Sequence, residues 1–185
     1  MGVLSRFLER RNWRRRARAF LRVVQQEPAE ADVKWLAELE PQKDLDHARW
    51  ELRYARLALG QISAERDALD DRVAAVVARE LLSSFATDPR VAAGMLPTVE
   101  QQFNSRLRRY REALLRRSSA DSLKVRLGRE LLTFTRGESG RDPISAERAG
   151  TIVDGYIREA NRALQDAFGR AMLPENVKPS EVTAA

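Results

Sequence analysis

The chain has 185 residues, 43% of them hydrophobic, a formal net charge of +6 and no cysteine. That length supports one sizeable core, and the missing cysteine excludes disulfides, thiol nucleophiles, zinc thiolates and iron–sulfur ligation. No run of about 18 apolar residues occurs and the basic N-terminus lacks the apolar centre of a secretory signal, so the expectation is a cytoplasmic protein, with peripheral attachment to a membrane as the alternative.

The charge is segmented. Lys and Arg against Asp and Glu number eight to one over residues 1–22, eight to fourteen over 23–88, eleven to four over 89–136 and six to eight over 137–185. Arg outnumbers Lys by 29 to 4. The guanidinium fork suits phosphates and carboxylates, but a G+C-rich genome produces the same bias, so arginine position must carry the inference.

Residues 11–24 read as an amphipathic helix within a basic N-terminal segment, 1–26. Trp13, Ala17, Phe20, Leu21 and Val24 form the apolar stripe, and Arg11, Arg14, Arg15, Arg18 and Arg22 line the other side at helical spacing. With only Glu9 nearby, that row is the expected site for an anionic partner. Ahead of it Val3, Leu4, Phe7 and Leu8 form an apolar tip that could dip into an anionic membrane.

Residues 27–172 read as a helical bundle. Glu27-Pro28 ends the first helix, and a short helix over 29–39 follows, with Val33, Leu36 and Ala37 inward. One long helix is then expected over 44–86, capped by Asp44 or Asp46. Its seam is Leu45, Ala48, Leu52, Ala55, Leu59, Ile62, Leu69, Val73 and Val76. Arg66 and Glu80 interrupt the seam. Trp50, Tyr54 and Leu57 give the first half a second apolar face, and Val73 to Phe85 is apolar nearly all round.

The loop from Thr87-Asp88-Pro89 through Gly94 and Pro97 is followed by an expected helix over 98–136, capped by Thr98 and kinked near 118–121. Folded back on 44–86, it makes a long antiparallel hairpin, with the acids around Glu65 to Asp71 opposite Arg111, Arg116 and Arg117. Arg106, Arg108 and Arg109 form a secondary basic patch. Gly137 to Pro143 reads as a turn, the last helix covers 145–172, and 173–185 is expected to be a mobile tail. The fold class is therefore all-α: an elongated antiparallel helical bundle on a long hairpin, with an Arg-rich amphipathic N-terminal helix.

Catalytic material is thin. His47 is the only histidine, with Asp44 and Glu51 on its side of the helix. A di-metal bundle site needs a second histidine, and no Gly-x-Ser-x-Gly elbow is present for a serine nucleophile. No catalytic residue, metal or cofactor is assigned. The function expected is a non-catalytic scaffold or adaptor engaging an anionic partner through the Arg stripe. A protein partner ranks first, with a nucleic acid, an anionic membrane or self-association as alternatives and an enzyme or ligand-binding bundle last.

Overall fold

The computed structural model describes residues 3–116, 121–135 and 142–170, with side chains from residue 9 onward. These residues form seven α-helices and no strand: α1 (Val3–Val24), α2 (Glu30–Glu38), α3 (Leu45–Asp67), α4 (Asp71–Phe85), α5 (Leu96–Leu115), α6 (Leu123–Thr133) and α7 (Pro143–Phe168). No helix among the described residues is long and apolar enough to cross a membrane. The tail expected over 173–185 lies outside the described residues.

The organising element is α3. Asp44 caps it, its carboxylate accepting from the backbone N–H groups of Asp46 and His47, which satisfies two of the free donors of the first turn. From Glu51 to Ala64 every residue is buried, and α3 touches each of the other six helices. The two expected apolar faces are both covered: Ala48, Leu52, Ala55, Leu59 and Ile62 on one side, Tyr54 and Leu57 on the other, all in the core. Small residues in this stretch let neighbours come close. A Cβ on Gly60 would stand 2.9 Å from a methyl of Val24 on α1.

The helix expected over 44–86 is in fact two helices. The chain breaks at Ala68–Asp70, where Leu69 takes a left-handed backbone with φ 52° and Asp70 caps α4 by accepting from the N–H of Arg72. Leu69, assigned to the seam, is 56% exposed, and Leu45 at the other end of that seam is 44% exposed. The all-round burial expected for Val73 to Phe85 is also corrected. Val73, Val76, Val77, Glu80, Leu81 and Phe85 turn inward, whereas Ala75, Arg79 and Leu82 face outward.

The second arm is likewise two helices, α5 and α6, separated around the expected kink; residues 117–120 lie outside the described ones. Helix α5 starts at Leu96 with Pro97 in its first turn, so Thr98 is not its cap. Proline fits there because the first-turn N–H groups have no intrahelical acceptor. Ser122 caps α6 through the N–H of Val125, and Asp142 caps α7 through that of Ser145. The helices therefore pack around α3, in place of one long hairpin. On the outside, α1 lies against α7 and α4.

Candidate anion-binding groove

Helix α1 docks through the stripe that its sequence marks. Ala17, Phe20, Leu21 and Val24 are in the core, and Trp13 is half-buried with its ring 5.8 Å from that of Phe168. The docked stripe turns Arg11, Arg14, Arg15, Arg18 and Arg22 outward, and all five are exposed. Alongside runs α4, in the same direction. Arg72 reaches Glu9 and Trp13, Glu80 reaches Arg14 and Arg18, and Ser84 reaches Gln25, so both helices advance together.

Between them is an open groove lined by Arg10, Arg11, Arg14, Arg15, Arg18 and Arg22 from α1 and by Arg72 and Arg79 from α4, over a floor containing Trp13, Ala75 and Val76. Arg10, Arg72 and Arg79 are additions to the five residues chosen from sequence. The spacing of Arg72 and Arg79, two turns apart, places them on one face of α4 once its register is known. No local pattern announces that this face meets α1.

The site contains one buried acid. The Glu80 carboxylate is only 5% exposed, and each of its oxygens accepts from one Nε–H, Arg14 on Oε1 and Arg18 on Oε2, both at 2.7 Å. Burial pushes the Glu80 carboxyl up, but the hydrogen bonds and charges of Arg14 and Arg18 outweigh it and hold the group below its ordinary 4.5. Glu9 is therefore not the sole counter-ion of the stripe, contrary to the expectation from sequence. Among the described residues the two arginines donate to Glu80 only through Nε, not through their terminal N–H groups. A buried acceptor thus fixes where two guanidinium groups stand.

The other arginines of the groove differ in their partners. Arg72 is held bidentately by Asp70 at 3.1 and 3.2 Å, with Glu9 at 3.9 Å. Arg15 donates to the Asn12 side chain at 3.2 Å. Among the described residues, no carboxylate lies within 4 Å of Arg10, Arg11, Arg22 or Arg79. The side chains of Val3, Leu4, Phe7 and Leu8, the membrane tip expected from sequence, lie outside the described residues.

Acids stand by all three arginines of the secondary patch, closely at Arg106 and Arg109 and loosely at the exposed Arg108. Arg106 forks onto Glu51, Arg109 donates to Glu130 at 2.8 Å, and Arg108 stands 3.9 Å from Glu112. Arg111 meets Glu65 at 2.5 Å, the acid-to-base pairing expected between the two arms, while Arg116 turns to Glu130 at 4.0 Å. Arg117 lies outside the described residues.

His47 belongs to the same kind of network. Its Nδ1 is 2.6 Å from Glu40 and its Nε2 is 3.4 Å from Glu51, both carboxylates being almost wholly buried. Glu51 is already forked by Arg106, and Asp44 serves the backbone as a cap. With a carboxylate at each ring nitrogen the imidazolium form is favoured. Glu51 first and then Glu40 raise the His47 pKa above its ordinary 6.5, against the opposing effect of burial. Glu40, seven residues back across a loop, is the partner that helical spacing alone could not supply. Both ring nitrogens and Glu51 are thus occupied in tying the α2–α3 loop, α3 and α5 together.

Compared with known proteins, the chain matches no family model, no curated protein sequence and no solved structure.

Proposed function

We propose that this protein is a non-catalytic helical adaptor that engages an anionic partner through the groove between α1 and α4. The observation that carries this reading is an imbalance of charge. Among the described residues, eight guanidinium groups line the groove, and three carboxylates, Glu9, Asp70 and Glu80, reach them. Exposed arginines can be left to water at little cost, so their presence alone decides nothing. What argues for a partner is that they converge from two helices, with two of them positioned by a buried acceptor. Elsewhere, buried arginines of α3 are paired with acids, as at Arg53 with Asp88 and Arg56 with Glu159.

The test is retention on a sulfated-polysaccharide column, with Arg11, Arg15 and Arg22 replaced together by Gln. These three have no carboxylate partner among the described residues, so the melting temperature should stay within about a degree or two, since such surface changes are worth under ~0.5 kcal/mol. The variant should elute at markedly lower salt than the parent. Equal elution would remove the groove from consideration as the anion site.

A further inference from the structure

Resting on that reading of the groove, we infer that its occupant is the phosphodiester backbone of a nucleic acid, gripped without regard to base sequence. Eight arginines against three acids leaves an excess of five positive charges. Arg10 to Arg22 spans twelve residues of helix, roughly 18 Å at ~1.5 Å per residue. The excess is therefore one charge per ~3.6 Å, close to the ~3.4 Å per phosphate along one strand of B-form DNA. An acidic protein helix presenting a single stripe offers about one carboxylate per turn, ~5.4 Å. The groove is charged too densely for that partner and about right for a strand.

The chemistry of the lining agrees. The lining cations are arginines, whose planar fork matches a phosphate bidentately. Among the described residues, Arg14 and Arg18 donate to Glu80 through Nε alone, so their terminal N–H groups are not spent on that acid. Arg79 lines the same groove from α4, so a strand running along it meets donors from both helices. Among the described residues of the lining Trp13 is the one aromatic, with the Arg72 guanidinium 5.2 Å from its centroid and the Phe168 ring 5.8 Å away. Phosphate contacts without base stacking give affinity and no sequence preference.

The experiment uses the full chain with a fluorescein-labelled DNA strand of about 20 nucleotides, its duplex, polyglutamate of similar charge and phosphatidylserine vesicles. Neutralising about five phosphates predicts log K falling with log salt at a slope of roughly −3.5 for the strand and −4.5 for the duplex, so affinity for the strand drops about a hundredfold from ~50 to ~200 mM salt. Two unrelated base sequences should bind within about threefold. Replacing Arg11, Arg15 and Arg22 by Gln should flatten the slope by about two to three, and Arg79→Gln alone should flatten it by about one, since each lost phosphate contact reduces the slope by ~1. Polyglutamate should bind at least about tenfold more weakly than the strand. Polyglutamate or vesicles binding as well as DNA, through the same arginines, would overturn the nucleic-acid assignment while leaving the groove as the anion site. DNA binding unaltered by all these substitutions would place it elsewhere and overturn the assignment too. Failure of every polyanion would take the groove reading down with it.

Discussion

Arg14 and Arg18 each give Glu80 one N–H, so truncating them carries a folding cost that Arg11, Arg15 and Arg22 do not. Removing one partner of a fully buried pair costs about 3–5 kcal/mol. Here the arginines are more than half exposed while the acid is buried, which brings the expected loss for Arg14→Gln with Arg18→Gln to about 1–2 kcal/mol. Urea denaturation near neutral pH measures it. The stability of a pair whose acid has a depressed pKa is present above the ordinary carboxyl value and lost as pH falls through the folded one. The deficit of the double variant should therefore shrink in acid. The sequence marks Glu80 only as an interruption in an apolar seam, and its partners are 62 and 66 residues away. No helical period connects positions so far apart. His47 behaves with the opposite sign. Its raised pKa means that the stabilising contact with Glu40 and Glu51 is complete below the ordinary 6.5 and is lost as pH rises through the folded value. Denaturation midpoints from about pH 6 to about pH 9 should show a loss in the parent that His47→Gln lacks; parallel profiles would mean that the imidazole does not bridge the two acids.

At the scale of the helix, the break before α4 and the crossing of α6 with α7 have opposite sensitivities to a side chain. Leu69 sits in a left-handed conformation with more than half its surface in water, so Leu69→Ala should change stability by less than about 0.5 kcal/mol. Glycine removes the clash that a left-handed backbone imposes on Cβ, worth roughly 1 kcal/mol. Leu69→Gly should hence be neutral to slightly stabilising, and a loss of several kcal/mol would restore Leu69 to a core. Where α6 meets α7 the reverse applies. A Cβ on Gly128 would come within 2.2 Å of the Ala146 carbonyl oxygen and 2.5 Å of the Gly150 nitrogen, both backbone atoms that cannot swing aside. Gly128→Ala should cost about 2–3 kcal/mol net of its better helix propensity. Gly155, in α7 with nothing within 4 Å of such a Cβ, should gain up to ~1 kcal/mol as Ala. Thermal melts of the two variants moving in the same direction would refute the close crossing. The helices themselves are legible in the sequence because apolar spacing and capping residues are local. Asp44 is a readable cap for that reason, whereas Gly128 looks like any helix glycine until its neighbour is known.

Charge segmentation is a property of the whole chain, and folding resolves it unequally. In the second basic block, 89–136, Arg106, Arg109 and Arg111 meet acids of α3 and α6 at Glu51, Glu130 and Glu65. The first block keeps its excess because α4 offers the stripe a single acid and adds Arg72 and Arg79 of its own. The sequence shows the two blocks as equals, since which acids face which arginines depends on helix packing. The same packing makes α1 part of the body. Phe20, Leu21 and Val24 lie in the common core, and burying each is worth about 1.5–3 kcal/mol. Their sum, roughly 5–9 kcal/mol, is comparable to the whole stability of a domain, about 5–15 kcal/mol. Removing residues 1–26 should therefore abolish the cooperative unfolding transition seen by circular dichroism, whereas the Arg11, Arg15 and Arg22 variant retains it. A truncated chain that still melts cooperatively at a similar temperature would show that α1 is a detachable arm. The α1 wall of the groove would then have no fixed register against Arg72 and Arg79, and phosphates could not be clamped from both sides.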